Sequence, residues 1–527
     1  MVAVPMTSLA LVGFLLVAPW PFWRLAASSP VRARRRDQVV LVGALCGYAA
    51  VIVAIAVAWP AGLPVVAAIA AIATVVLWWR SRVDNGRSEA IPPGRIRLHP
   101  LDLYDDPDYL LDEAKRLGPI FKIGATFPIP TLTPIICVVG HDLGLELLRD
   151  HERALEVYPP FPASGFIPRS FLRNMTDADH DRFAPLFRHA YTKSADPAFE
   201  EAVAASARQL LARLDAAGAG SSDRGVDPTP FLRDFVFEVL ARLHFGIEPG
   251  SPDLDRLVAR YRSLDVVGIV RRMPQRTRER RWKALVDEVG DRFDDDPARP
   301  HPSVVAAALE LAGTTAGAGD GTDERETIIG NVLQMQESGT QDLTALLVWV
   351  VKLLGDHPVW IDRVGSSIGA VTADASASVP STTSGGGRSV GERVIRESLR
   401  LEQSEYLARR TTDDIRFHGY RFPKGWRVRI CIREGHRSAD AFERPTEFDP
   451  DRWLDRSHPP TEYAPFGLYR HHCLAARLTQ RVGAIFLEEL ARGYRLTITE
   501  DGPREHGRFH WRPSPRLRVR LDKVAAV

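Results

Sequence analysis

Phe466-Gly467-Leu468-Tyr469-Arg470-His471-His472-Cys473-Leu474-Ala475 is the stretch on which the reading of this chain turns. A tight polar loop ends in a cysteine. Beyond it Leu474, Leu478, Val482, Ile485, Phe486 and Leu490 recur at steps of three and four, the apolar face of a helix that Gly493 closes. Cys473 therefore stands at a helix amino end, where unpaired backbone N–H groups and the helix dipole favour a thiolate. Arg470 and His471 add positive charge. A thiolate held there is a soft ligand for iron, but a lone cysteine at a helix start is also a common structural residue. Companions for Cys473 would separate the two readings.

Two stand upstream. Glu397-Ser-Leu-Arg400 places an acid and a base on one helical face, and Phe442-Glu-Arg-Pro445-Thr-Glu-Phe448-Asp-Pro450-Asp-Arg452-Trp453 is a coil with aromatics, prolines and an arginine at fixed intervals. Glu-x-x-Arg, Phe-x-Pro-x-Arg-Trp and Phe-Gly-x-x-x-His-x-Cys, in this order, resemble the cytochrome P450 family of haem-thiolate proteins. The resemblance implies a mainly α fold with a small β region. It also implies a buried network of Glu397, Arg400 and Arg452 that fixes the cysteine loop, and Cys473 as the axial ligand of haem b iron. Phe466, His471, Arg409 and His180 match haem-contacting positions, the histidine at 471 and the arginine at 409 as cations for the propionates. A zinc site built from His471, His472 and Cys473 is disfavoured, since adjacent side chains point apart and a fourth ligand is missing at any usual spacing.

The central helix, expected over residues 324–354, departs from the family. With Trp349 and His357-Pro358 setting the register, Ser338-Gly339 occupies the family's Ala-Gly step, and Thr340, Gln341 and Asp342 follow. Gly339 to Asp342 are expected to line the distal face. The family's usual acid–threonine pair, which relays protons, is here Gln341–Asp342. An amide cannot supply a proton at neutral pH, whereas a buried carboxyl can. Asp342 is accordingly expected to take over the relay of a monooxygenase. The alternatives are a peroxide-using, rearranging or coupling enzyme, and a non-catalytic haem-binding membrane protein. Tyr469 replaces a usual glycine, and Ala184 replaces a usual arginine four residues after His180.

Working outward, the 527 residues are 45% hydrophobic and 25% charged, with net charge +2, which gives no reason to expect nucleic acid. Four dispersed cysteines fit neither a disulfide framework nor a zinc module. Residues 6–23, 39–59 and 61–79 are nearly free of charge and each approaches the length of a bilayer span. Arginines at 24, 32, 34, 35 and 36, and again at 80, 82 and 87, put both basic stretches on the cytoplasmic side. The expected organisation is a membrane anchor over residues 1–87 with two to three transmembrane helices, a linker over 88–100 and a cytoplasmic catalytic domain over 101–527. The resemblance further implies a small organic substrate, and the membrane anchor favours a lipophilic one. With no flavin or nicotinamide module in the chain, the resemblance also implies a separate electron donor, a ferredoxin or flavin reductase, docking near Arg470, His472 and Arg477. The apolar loop over residues 158–171 is a candidate substrate wall.

Overall fold

The computed structural model describes residues 91–94, 106–123, 134–157, 171–175, 177–220, 225–264, 275–294, 303–315, 321–373, 388–402, 406–454, 457–506 and 510–524. The three apolar spans, nearly all of the loop over 158–171 and most of the Ser/Gly-rich stretch over 373–389 lie outside these residues. Among the described residues no single helix is long and apolar enough to cross a membrane.

In chain order the elements are α1 (Tyr109–Leu117), β1 (Ile120–Ile123), β2 (Ile135–Val139), α2 (His141–Asp150), β3 (Leu155–Val157), α3 (Asp177–Ser194), α4 (Pro197–Gly220), α5 (Thr229–Phe245), α6 (Pro252–Ser263), α7 (Gln275–Asp294), α8 (Val304–Thr315), α9 (Gly321–Asp356), α10 (Val359–Ala373) and α11 (Val390–Glu402). They continue with β4 (Tyr406–Thr411), β5 (Ile415–Phe417), β6 (Tyr420–Phe422), β7 (Arg427–Cys431), α12 (Ala476–Gly493), β8 (Tyr494–Glu500), the two-residue strand Trp511–Arg512 and β9 (Arg518–Lys523). Helices dominate, with a small β part, as the sequence motifs imply.

The chain forms two compact units. One draws on the described residues within 1–162, 407–434 and 505–509, the other on those within 163–406, 435–504 and 510–527. The first is built on a five-stranded sheet of order β1-β2-β7-β4-β3. β1 and β2 pair antiparallel with Phe121 opposite Cys137, and β2 and β7 pair parallel with Cys137 opposite Arg429. These strands are runs of β-branched and aromatic residues bounded by glycine and proline. They bury Phe121, Ile123, Ile135, Cys137 and Cys431 against Leu110 of α1. In the sequence, Val428–Ile432 reads as a short strand. The backbone leaves the sheet one residue earlier, where His141 Nε2 and Ile432 O meet at 2.9 Å.

The second unit is a helical assembly whose long member, α9, carries a stripe of buried residues including Ile329, Val332, Leu333, Leu346, Leu347, Val350 and Leu354. Phe235 and Phe245 of α5, Phe187 of α3 and Phe486 of α12 join the same core. Each such ring contributes about 1.5–3 kcal/mol through burial. Helices α11 and α12 approach closely because position 483 is glycine: a Cβ there would stand 2.9 Å from Ile395 Cδ1. At the unit's edge β8 pairs antiparallel with β9, Leu496 opposite Leu521.

Candidate functional site

All atoms of the site described here belong to the second unit. Its frame begins at α11, where Glu397 and Arg400, three residues apart, are both fully buried. Arg400 Nε donates to Glu397 Oε2 at 2.9 Å and Nη2 to Oε1 at 2.7 Å. Arg452 Nε donates to Oε1 at 2.9 Å, Trp453 Nε1 to Oε2 at 3.0 Å and the Asp449 backbone N–H to Oε1 at 3.0 Å. The remaining guanidinium hydrogens of Arg400 reach the carbonyls of His436, Pro445 and Glu447 at 2.9, 2.6 and 3.0 Å. A buried carboxylate facing two buried guanidiniums is tolerable only when saturated in this manner.

This hub passes its order to the cysteine loop through single hydrogen bonds. His436, whose carbonyl Arg400 holds, accepts the Ala464 N–H on Nε2 at 3.0 Å. Ala464 O accepts from Gly467 N at 3.1 Å, and Phe466 O accepts from Cys473 N at 2.9 Å. Between the last two, Tyr469 takes φ +60° at the head of the 3-10 turn Tyr469–His471. It is a left-handed conformation that costs a side-chain-bearing residue about 1–2 kcal/mol.

The Cys473 thiol is exposed rather than packed. Yet burial pushes it up to about 11, against a smaller opposing effect of the Ala475 backbone N–H. The two facts agree if the sulfur faces an interior space enclosed by protein. The helix terminus and neighbouring cations, which favour a thiolate, act against this desolvation. Desolvation outweighs them, and Arg470 is spent on Asp181 at 2.8 and 2.9 Å. Coordination to a metal removes such a proton outright.

Asp342 of α9 has the same dual character. It is exposed by surface area. Burial nevertheless raises its carboxyl to about 6, against the lowering effects of Arg173 and Arg512. Its charge also acts on Cys473, raising the thiol further. Asp342 and Cys473 thus face one enclosed space.

Of the other residues expected on this wall, Gly339 lies 3.0 Å, measured from an added Cβ, from Leu240 Cδ1, so its missing side chain lets α5 approach α9. Gln341 donates from Nε2 to Glu337 Oε1 at 2.5 Å. Thr340 is buried, and its hydroxyl donates back to Gln336 O at 2.7 Å. The reason is helical geometry, since two residues turn the chain by roughly 200° and set Thr340 opposite Asp342.

His180, buried on α3, packs its ring against that of His471 at 4.6 Å between centroids. Arg409 belongs to the other unit, where it is buried on β4 opposite Val157. An enclosed space with a single soft sulfur donor, a fixed cysteine loop and two packed imidazoles suits a haem held by one axial thiolate. Among the described residues there is no group of three or more His, Cys, Asp or Glu able to hold a metal.

A cytochrome P450 family model matches residues 115–515. The chain belongs to the cytochrome P450 family. Among its relatives, the abscisic acid 8'-hydroxylase 3 of Oryza sativa subsp. indica is 33% identical over 183 residues, 34% of this chain and 35% of that protein. The chain thus matches about a third of the length of that relative. The ent-kaurenoic acid oxidase 1 of Hordeum vulgare is 22% identical over 502 residues, 88% of this chain and 97% of that one. Among solved structures, a retinoic acid-bound cyanobacterial CYP120A1 superposes with a TM-score of 0.65 at 20% identity, covering 83% of this chain and all (100%) of the other. P450 membership means a haem ligated by a cysteine thiolate, and small-molecule substrates with redox partners are general in the family.

Sequence reading passed over two groups of this P450 site. Arg173 and Arg512 are solitary arginines far apart in the chain, without motif or periodicity to mark them. The other group is a buried relay: Tyr191 Oη and His244 Nε2 at 2.8 Å, and His244 Nδ1 and Gln336 Oε1 at 2.8 Å.

Proposed function

We propose that this protein is a membrane-anchored haem-thiolate monooxygenase that inserts one oxygen atom from dioxygen into a small lipophilic organic substrate. The observation that carries the reading is Cys473 at the end of its fixed loop, accessible yet desolvated, with the charge of the likewise desolvated Asp342 acting on it. Haem b, when bound, supplies the activation of dioxygen. Cys473 would bind its iron through the thiolate, and Phe466, His471 and His180 of the same unit would help to hold it. The Glu397–Arg400–Arg452 hub holds the cysteine loop so that the sulfur keeps one position. Asp342, with a carboxyl raised to about 6, holds a proton at its oxygen and releases it toward the space it faces. Gln341, fastened to Glu337, orients without donating a proton from a carboxyl.

Electrons come from a separate ferredoxin or flavin reductase. Because Arg470 is paired with Asp181, the cations open to such a donor near the loop are His472, when protonated, and Arg477. The names of the relatives carry lipophilic organic molecules, which supports that class of substrate. The anchor over residues 1–87 and the cytoplasmic face of the catalytic domain rest on the hydropathy and arginine pattern alone.

The deciding experiment is the spectrum of the reduced carbon-monoxide complex. A thiolate-type red-shifted Soret band, lost in Cys473→Ser, supports the reading. Its absence in the wild type removes it.

A further inference from the structure

Helix α9 fixes two cations on the face that carries Asp342. The 3-10 turn Leu172–Asn174 is tied to it by Leu172 N–H donating to Asn331 Oδ1 at 2.6 Å. The strand Trp511–Arg512 is tied to it by Trp349 Nε1 donating to Trp511 O at 3.0 Å. Asn331, Asp342 and Trp349 are spaced by eleven and seven residues in the chain, close to three and two full helical turns, so the three share one stripe. Arg173 and Arg512, one residue beyond their anchors, therefore flank Asp342 from either side, and the charges of both act on its carboxyl. Both are exposed, and neither guanidinium makes a hydrogen bond or ion pair to a described residue. Two cations against one carboxylate leave a surplus positive charge in an enclosed wall that also carries Phe171, Leu172 and Trp511, all buried.

We propose that Arg173 and Arg512 receive the carboxylate of an acidic lipophilic substrate, so that the enzyme selects organic acids over their neutral analogues. A carboxylate neutralises the surplus, matches the planar guanidinium fork, and leaves the apolar body of the molecule to lie along the wall toward the Cys473 side. This deepens the monooxygenase reading and rests on it for the position of the reacting atom. A carboxylate also has a second source in this protein, the propionates of the haem, and the test separates the two.

The full-length holoprotein is titrated with dodecanoic, hexadecanoic and abietic acids and with their methyl esters, followed by calorimetry and by the spin-state shift. At least one acid is expected to bind about tenfold or more tightly than its ester, as charged hydrogen bonds are worth. Arg512→Gln and Arg173→Gln should each reduce that ratio toward one while ester affinity and haem content hold. Asp342→Asn, which removes the competing anion, should tighten the acid and leave the ester unmoved. The proposal is overturned if no acid is preferred to its ester, if the ratio survives both arginine substitutions, or if these substitutions lower haem content by pyridine haemochrome assay, which would make the arginines propionate partners. Loss of the thiolate-type carbon-monoxide band in the wild type would instead sink the monooxygenase reading, while the calorimetric acid-to-ester ratio would still stand or fall by itself.

Discussion

Asp342 and Tyr469 stand where the sequence reading expects a threonine and a glycine, and the physical consequences differ. Asp342 carries a carboxyl raised to about 6 chiefly by burial. A proton donor of this kind is populated below that value and empties as the pH rises through it. Wild-type turnover is therefore expected to fall above about pH 6, and Asp342→Asn to lower turnover by about a hundredfold, raise peroxide release and flatten the pH profile. Steady-state turnover and peroxide assays check this; unchanged turnover and leakage in the variant would favour a peroxide-using or rearranging enzyme. Tyr469, at φ +60° and 37% exposed, stores strain without compensating burial. Tyr469→Gly is expected to stabilise the protein by up to about 1 kcal/mol, part of the relieved strain being offset by chain entropy, as thermal unfolding would show. Sequence made both positions legible because each sits in a motif of fixed spacing. It left Arg173 and Arg512 unread, because a solitary arginine acquires meaning only from the helix face to which the fold brings it.

At the scale of elements, α11 and the coil over residues 442–453 act as one piece through Glu397. Replacing this carboxylate leaves Arg400 and Arg452 buried against each other without a counter-charge, a loss of about 3–5 kcal/mol. Glu397→Gln is thus expected to destabilise the chain by that order and to reduce haem retention, measured by denaturant unfolding and by haem-to-protein ratio. Retention of both would show that the hub does not fix the cysteine loop. Element boundaries were largely legible. The strand Ile415–Phe417 and the helix His141–Asp150 follow directly from period and punctuation, and α9 extends a few residues past the expected ends. The route from hub to sulfur was not legible, because it runs through the carbonyl and ring of His436 and backbone groups of Ala464 and Phe466, which no motif spacing encodes.

For the whole molecule, two bulk properties follow. His244, enclosed between Tyr191 and Gln336, is lowered to about 4 from its ordinary value of 6.5, chiefly by burial. A base whose folded value lies below its unfolded value is fully compatible with the fold above 6.5, and its stabilising contribution is lost as pH falls toward 4. That contribution is about 3 kcal/mol. Denaturant midpoints are expected to decline through this window, and to decline less steeply in His244→Asn. The apolar segments over residues 6–23, 39–59 and 61–79 give the second property. The full chain is expected to stay in the membrane pellet through an alkaline wash, and its release would refute transmembrane anchoring. The hub, finally, bears on how such a protein can change through descent. Glu397 is held by Arg400, Arg452, Trp453 and the Asp449 backbone at once, so any one member altered alone strands the others. Single-step routes away from the set therefore cost stability, which favours descent that keeps or changes its members together.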